Sequence, residues 1–145
     1  MGLVQRFMEY AEAFEAAYAS DDWSKLDAYF TEDAVYETVA EPPFANRTQG
    51  RDAVKAFFKQ IVDNFDRRFT SRKVELIEGP TERPGHVWLR WVSTYTLADA
   101  PPLRMEGEEI AEFDGDRIKR LEDRMSAAAT QRTMQYMAEH AARLK

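Results

Sequence analysis

The chain has 145 residues, of which 44% are hydrophobic and 12% aromatic, enough apolar material for the core of one globular domain. Its formal net charge of −6 argues against nucleic acid or an anionic membrane as a partner, and the absence of cysteine excludes disulfides, thiolate metal sites and a cysteine nucleophile. No apolar run approaches the ~20 residues of a membrane span and no secretion signal pattern precedes the first helix, so we expect a cytoplasmic protein.

Two helices and a strand are predicted for the first 40 residues. The first helix ends near Ser20, and its apolar residues recur at helical spacing: Leu3, Phe7, Tyr10, Phe14 and Ala17. A short second helix follows, with a buried side made of Trp23, Leu26, Tyr29 and Phe30. The segment from Ala34 to Ala40 alternates as a strand, which Glu41-Pro42-Pro43 ends, and an irregular loop is expected from there to Gly50.

A third helix and two strands are predicted for the middle of the chain. The helix carries a continuous apolar face: Val54, Phe57, Phe58, Ile61, Val62 and Phe65. Strands are expected near Phe69–Ile77 and His86–Leu97, separated by a turn rich in Gly and Pro. One face of the second strand holds Leu89, Trp91, Ser93, Tyr95 and Leu97. A local basic cluster, predicted to be the solvated start of a strand rather than a phosphate site, comprises Arg67, Arg68, Arg72 and Lys73.

Residues 105–125 are predicted to form a hairpin around a three-residue loop, Asp114-Gly115-Asp116. This loop places Phe113 opposite Arg117 and pairs odd-numbered residues with odd-numbered residues. The even-numbered face mixes charges of both signs with Ile118 and is predicted to lie in water. The odd-numbered face is predominantly apolar and belongs to the core. A two-residue Asp-Gly turn is disfavoured because it would mix the polar and apolar sets on both faces.

Glu109 and Asp123 are two carboxylates on this apolar face. An unpaired buried carboxylate costs several kcal/mol, which favours a functional reason for their presence. The predicted pairing makes them diagonal neighbours, about 7–8 Å apart at Cα. Such a pair can share one proton or divide acid and base roles. The alternative is that both carboxylates pair with buried hydroxyls, or with Arg117 and Lys119 on the same face near the turn.

The last predicted element is a helix from about residue 127 to residue 145. Its apolar stripe comprises Met134, Met137, Ala138, Ala141 and Leu144. This helix either closes over the sheet or meets a second subunit. The order of elements predicts one α+β domain over residues 1–145, in which a strongly bent mixed sheet carries helices on its concave side and encloses an apolar pocket.

The chain resembles the nuclear transport factor 2-like superfamily, a cone-shaped α+β fold. The superfamily includes SnoaL-like polyketide cyclases, ketosteroid isomerases and limonene-1,2-epoxide hydrolases. The resemblance covers residues 3–126 and is carried by Asp22-Trp23-Ser24-Lys25-Leu26, by residues 29–37, by Gly50-Arg51-Asp52-Ala53-Val54 and by the final hairpin. It implies the fold and a homodimer, but it does not specify a reaction, because this fold hosts catalysts and non-catalysts.

Similarity to the limonene-epoxide hydrolases implies roles for single residues. Asp123 falls where that family keeps the acid of its last strand, the implied proton donor, and Tyr36 matches its water-positioning tyrosine. The family's asparagine is Thr38 here. Its Arg-x-Asp pair on the middle strand is replaced by Trp91 and Ser93, so the usual water-activating base is missing.

Compared with the ketosteroid isomerases, the chain keeps one functional position and changes two. Glu109 falls near the protonated aspartate of their oxyanion hole. Phe14 replaces the oxyanion tyrosine, and Thr38 replaces the general base. The SnoaL-like cyclases are expected to carry an acid on the closing strands, and Asp123 matches that position.

We therefore predict an enzyme without cofactor or metal that applies acid–base carboxylate chemistry to a small apolar substrate, as an isomerase, cyclase, dehydratase or epoxide hydrolase. Asp123 is the predicted acid, Glu109 its coupled partner or the base, and Tyr36 the third catalytic residue. The predicted substrate-binding residues are Phe14, Tyr18, Thr38, Phe58, Trp91, Ser93 and Tyr95. The alternative is a non-catalytic ligand-binding or dimerising domain of the same fold.

Overall fold

Six strands form one curved sheet, and three α-helices pack against it, in the computed structural model, which describes residues 2–144. In chain order the elements are α1 (Leu3–Ser20), a 3-10 helix (Trp23–Tyr29), β1 (Phe30–Val39), β2 (Asn46–Gln49), α2 (Arg51–Asn64), a 3-10 turn (Asp66–Arg68), β3 (Ser71–Arg83), β4 (His86–Thr96), β5 (Leu103–Asp114), β6 (Arg117–Arg124) and α3 (Ala127–Glu139). The strand order is β2-β1-β6-β5-β4-β3, with β1 and β6 parallel and the other neighbours antiparallel. The predicted α+β cone is confirmed.

The helices α1 and α2 bury much of the apolar faces that their spacing predicts, although Ile61 of α2 is 44% exposed. Phe14 of α1 makes edge-on contacts with Trp23 and Phe58, each with ring centroids 5.5 Å apart, so aromatic packing joins α1, the first 3-10 helix and α2. Among the described residues, no helix combines the length and the hydrophobicity that crossing a bilayer requires.

Strand β2 lies inside the segment that we predicted as an irregular loop, and β1 begins at Phe30, four residues before the predicted start at Ala34. The two strands pair antiparallel, with Val35 opposite Gln49. The loop prediction was wrong because Asn46–Gln49 contains only polar residues. Backbone hydrogen bonds hold such a strand, and hydrophobic periodicity does not report them.

Strand β3 continues to Arg83 instead of ending near Ile77 as predicted. It runs through Gly79-Pro80, which we assigned to a turn, and its pairing with β4 shifts on both sides of this point. β3 is the edge strand of the sheet, where a proline without an N–H is tolerated. Gly79 has φ +75°, and a Cβ there would lie 2.7 Å from the carbonyl oxygen of Trp88, so the bend requires glycine.

The β5–β6 hairpin departs from its predicted register in two ways that compensate each other. The loop has two residues, Gly115 and Asp116, because Asp114 pairs directly with Arg117. Two residues after Arg117, β6 contains an extra, unpaired residue, Lys119. The short loop and the bulge together restore odd-to-odd pairing. They also shift each partner beyond the bulge by two residues from the predicted register.

The bulge reverses the facing of the residues next to the turn. Ile118, predicted to lie in water, is fully buried, and Arg117 and Lys119, predicted on the apolar face, are exposed. Neither basic side chain therefore pairs with the buried carboxylates. On the outer face Glu122 is also buried, because it is held between Arg120 and Arg124.

The helix α3 packs on β5 and closes one end of the sheet. Tyr136 stacks with Phe69 at 6.3 Å between centroids, and its hydroxyl donates to the carbonyl oxygen of Pro101 at 2.6 Å. The helix ends at Glu139, not at residue 145 as predicted, and Lys145 itself lies outside the described residues. Covering the sheet was one of its two predicted roles; a contact with a second subunit stays a prediction.

Candidate active site

A cavity of about 390 Å³ lies between the sheet and the helices α1 and α2. Its apolar lining comprises Phe7, Tyr10, Ala11, Phe14, Tyr36, Phe57, Phe58, Ile61, Val62, Val74, Leu76, Leu89, Trp91, Tyr95 and Leu121. Its other lining residues are Glu15, Asp66, Arg72, Ser93, Glu109 and Asp123. An apolar cavity of this size with a few polar groups suits a small organic molecule. Within residues 2–144, no three His, Asp or Glu side chains are grouped in a way that could hold a metal ion.

Glu109 and Asp123 stand directly opposite each other on β5 and β6, not diagonally as predicted. Residues in such a pair have Cβ atoms about 4.5–5.5 Å apart, so the two carboxyl groups can share a hydrogen bond. Both residues are half-buried, and both line the cavity. The structure thus brings together two carboxyl groups that a bound molecule can reach.

The two carboxyl groups differ in how readily they ionise. Burial, the charge of Asp123 and a hydrogen bond to Asp123 raise the pKa of Glu109 well above its ordinary value. Burial also raises the pKa of Asp123, but the hydrogen bonds from Glu109 and Tyr36 oppose this rise. Because two adjacent buried carboxylates repel each other, the pair retains one proton over a wide pH range. The hydrogen bond from Tyr36 favours the ionised form of Asp123, whereas every influence on Glu109 favours its protonated form.

Tyr36 fixes the orientation of Asp123. Its hydroxyl donates to Oδ2 of Asp123 at 2.6 Å. The contact follows from the parallel pairing of β1 with β6, in which Tyr36 is opposite Leu121, two residues before Asp123 on the same face. Burial and the charge of Asp123 raise the pKa of Tyr36 well above its ordinary value, so the phenol remains a neutral donor.

Trp91 forms the wall beside the carboxyl pair, and Gly107 makes this position possible. The two residues are cross-strand partners, and a Cβ on Gly107 would lie 2.7 Å from Cζ2 of Trp91 and 2.5 Å from the carbonyl oxygen of Arg124. The indole Nε1 lies close enough to lower the pKa of Asp123 but makes no hydrogen bond of normal geometry, and neither does Oδ1 of Asp123. Unsatisfied buried polar groups of this kind call for a functional explanation.

The predicted substrate-binding residues divide into two groups. Those that line the cavity are Phe14, Phe58, Trp91, Ser93 and Tyr95. Tyr18 is not part of the lining; its ring lies under the guanidinium of Arg72, 4.5 Å from the ring centroid. Thr38 is opposite Asp123 across the parallel strands but is also not part of the lining.

Sequence reasoning missed a group of ionisable residues elsewhere in the cavity wall. Arg72, predicted as part of a solvated strand start, has a side chain that is only 12% exposed. It forms ion pairs with Glu15 at 3.0 Å and with Asp66 at 3.2 Å. Burial raises the pKa of Asp66 to about 6, although the charge of Arg72 opposes the rise.

The prediction for Arg72 was wrong because charge was given more weight than alternation. Arg72, Val74 and Leu76 all line the cavity, whereas Lys73 and Glu75 between them do not. This period of two is the signal of a half-buried strand and assigns Arg72 to the inner face. Asp66 gave no comparable signal, because it lies in the short 3-10 turn before β3.

Comparison with known proteins identifies both a family and a fold. The family model of the SnoaL-like domain matches residues 11–121, which include Glu109 but end before Asp123. A comparison with curated protein sequences found no match.

Solved structures resemble this chain over nearly its whole length. An LEH-like epoxide hydrolase from M. tuberculosis is 14% identical, with 96% of each chain covered and a TM-score of 0.65. An NTF2-like protein from Anabaena variabilis is 18% identical, with 88% of this chain and 91% of that chain covered and a TM-score of 0.67. A hypothetical protein from Catenulispora acidiphila with a ketosteroid isomerase-like fold, in complex with trimethylamine, is 17% identical, with 83% and 88% covered and a TM-score of 0.62. At these identities the likeness shows the fold alone.

Proposed function

The chain belongs to the SnoaL-like domain family, and on that premise we propose that it is an enzyme that moves a proton within a small apolar substrate. The observation that carries this proposal is the direct pairing of Glu109 with Asp123 in the wall of an apolar cavity. One member of the pair favours the protonated state and the other the ionised state. A site with both a proton donor and a proton acceptor supports general acid–base catalysis, which typically contributes about 10²–10⁴-fold.

The hydrogen-bond pattern supports Asp123 as the base and Glu109 as the acid, the reverse of the division that the sequence favours. Asp123 removes a proton from a carbon of the substrate, and Glu109 donates its proton to the oxygen or carbon where negative charge develops. One proton then remains in the pair, now on Asp123. Its transfer to Glu109 across their hydrogen bond restores the starting state without any cofactor.

The cavity favours substrates with an apolar body and one activating carbonyl group. The carbonyl lowers the pKa of the neighbouring C–H, and the raised pKa of the buried carboxyl groups makes them better matched bases and acids for such a carbon. Isomerisation of an unsaturated ketone and aldol-type cyclisation both need only this proton exchange. We therefore propose one of these two reaction types rather than hydrolysis.

Hydrogen–deuterium exchange tests the proposal without knowledge of the natural substrate. The protein is incubated in D₂O with enolisable apolar ketones, such as 2-tetralone and 3-cyclohexenone, and deuterium incorporation is followed by NMR. We expect exchange to be faster than in buffer, with the acceleration lost in Asp123→Asn and kept in Glu108→Gln, which removes a carboxylate from the adjacent position of β5. Equal rates for Asp123→Asn and the unchanged protein would contradict the proposal. Tight ketone binding without exchange would favour the alternative of a non-catalytic binding domain.

A further inference from the structure

We propose that Arg72 and Ser93 form a second subsite in the cavity, which binds the carboxylate of an amphipathic ligand in place of the Glu15 side chain. The proposal names the substrate class of the enzyme proposed above and to that extent rests on that function. The binding that it describes does not require turnover, so the two proposals can fail separately.

The guanidinium of Arg72 is preorganised to bind the anionic group of a ligand. It is the only basic side chain among the cavity-lining residues within 2–144. Its guanidinium lies over the rings of Tyr18 and Phe14, at 4.5 and 5.9 Å from their centroids, and Asp66 pairs with Nε. A guanidinium held in this way loses little conformational freedom when it binds a carboxylate, which its planar donors match well.

Glu15 is the partner that a ligand can replace. Its carboxylate accepts two hydrogen bonds from Nη1 of Arg72, at 3.0 and 3.2 Å, yet its side chain is 55% exposed. Water screens an exposed ion pair, and the free carboxylate is well hydrated, so its release costs little. Asp66 is the opposite case, because its side chain is 8% exposed and has no such access to water.

The polar surroundings of Arg72 can accommodate a ligand anion. Ser93 and Tyr95, which both carry hydroxyl groups, line the cavity, and their strand partners on β3 are Val74 and Arg72. Burial raises the pKa of Asp66 to about 6, so a nearby anion can readily drive Asp66 to take up a proton. The negative charge that the ligand brings to Arg72 would then be offset by the negative charge that Asp66 loses.

The register of β4 indicates the length of the ligand. Glu109 is paired with Leu89, whereas Arg72 is paired with Tyr95, six residues and about 20 Å further along the strand. Tyr10, Glu109 and Arg72 all line this one cavity, and the charges of Glu109 and Arg72 both act on the pKa of Tyr10. A ligand carboxylate at Arg72 would therefore carry an apolar body that extends toward the Glu109–Asp123 pair.

Titration calorimetry at pH 7.5 with octanoate and 1-octanol, which share one apolar chain, tests the subsite. We expect the protein to bind octanoate more tightly than octanol. In Glu15→Gln, octanoate should bind about two- to fivefold more tightly, because its competitor is gone. In Arg72→Met, octanoate should bind at least about tenfold more weakly. Octanol should bind both variants as it binds the unchanged protein, and Arg68→Met, which removes an exposed arginine of the preceding turn, should change neither ligand.

Two outcomes would overturn the subsite: no preference for octanoate over octanol, or an equal effect of Glu15→Gln on both ligands. If Arg72→Met does not fold, Glu15→Gln decides alone, since it changes only a side chain that is 55% exposed. Octanoate binding by Glu109→Gln separates the two proposals, because the subsite does not use Glu109. If this variant binds octanoate as the unchanged protein does, and the unchanged protein does not accelerate ketone exchange, the subsite is retained and the catalytic function is rejected.

Discussion

The hydroxyl of Tyr36 donates to Asp123 at 2.6 Å across two parallel strands, and this contact distinguishes Asp123 from its partner Glu109. A neutral donor stabilises the ionised form of a carboxyl group. Glu109 has no corresponding donor among the causes that set its pKa, all of which raise it. This contact favours ionisation at Asp123 over Glu109, and such a difference is the condition for one carboxyl group to serve as base and the other as acid.

Replacing Tyr36 by Phe should therefore raise the pKa of Asp123 and slow the proposed proton transfer. A hydrogen bond to a charged group contributes about 1.5–3 kcal/mol, so we expect a loss of about tenfold or more in rate near neutral pH. The measurement is the ketone exchange rate as a function of pH, whose rising limb should move to higher pH. Tyr29→Phe, which removes a hydroxyl outside the cavity lining, is the control. An unmoved limb would show that Tyr36 does not set the ionisation of Asp123.

Replacing Glu109 by Gln should change how protein stability depends on pH. The pKa of Glu109 is raised by folding, so the folded state binds more protons than the unfolded state above the ordinary pKa of a glutamate. The contribution of Glu109 to stability should therefore fall as pH rises above about 4.5. Glu109→Gln removes the group that must stay protonated, so its unfolding free energy should fall less steeply over the same range.

Urea unfolding at pH 5, 6, 7 and 8 measures this difference between the two proteins. Glu108→Gln is the control, because it removes a carboxylate from the neighbouring position of the same strand. If Glu109→Gln and the unchanged protein lose stability in parallel as pH rises, Glu109 is not protonated in the folded state.

The hairpin shows how much of the site the sequence can predict. Alternation correctly assigns Glu109 and Asp123 to the inner face, because both lie beyond the bulge, where odd-numbered residues again face odd-numbered residues. The distance between them depends on the loop length and on the bulge at Lys119. A bulge is one extra residue held by local backbone geometry, and no residue type in this stretch predicts its position. The face was therefore predictable and the direct pairing was not.

Arg72 and the β2 strand show two different limits. The inward facing of Arg72 was available from the alternation with Val74 and Leu76, and the charge of the surrounding segment concealed it. Strand β2 has no apolar residue, so its pairing with β1 leaves no pattern in the sequence. The fold class was predictable because the apolar faces of α1, α2 and β4 are long and regular.

Replacing Gly107 by Ala should displace Trp91 from the wall of the cavity. The new methyl group would lie 2.7 Å from the indole and 2.5 Å from the carbonyl oxygen of Arg124, closer than real contacts allow. Overpacking of this kind costs about 1–3 kcal/mol, which urea unfolding can measure. Adding Trp91→Phe should recover part of this loss, because the smaller ring relieves one of the two clashes.

The control for this pair is Gly2→Ala, whose methyl group would meet only one atom, Oε1 of Glu82 at 3.6 Å. It should leave the unfolding free energy unchanged. If Trp91→Phe lowers the unfolding free energy equally in Gly107→Ala and in the unchanged protein, the position of the indole does not depend on the absence of a side chain at Gly107.

Replacing Asp66 by Asn should remove a second, separate pH dependence of stability. Folding raises the pKa of Asp66 from its ordinary 3.8 to about 6, so the folded state binds more protons between these values. Stability from this group is complete below pH 4 and is lost as pH rises to about 6, and the change corresponds to about 3 kcal/mol. The difference in unfolding free energy between Asp66→Asn and the unchanged protein should therefore vary between pH 4 and 6 and be constant above that range.

Asp63 provides a control with the opposite sign, three residues earlier in the chain. Hydrogen bonds from Lys59 and Arg67 lower the pKa of Asp63, so its contribution to stability is present above its ordinary pKa and is lost as pH falls. Asp63→Asn should therefore cost stability at pH 6 but not well below pH 4, whereas Asp66→Asn should gain relative stability as pH rises. Carboxyl ¹³C NMR titration of both residues is the direct measurement. If Asp66 titrates below pH 4 in the folded protein, burial does not control its ionisation, and Asp66 would remain charged beside any anion that approached Arg72.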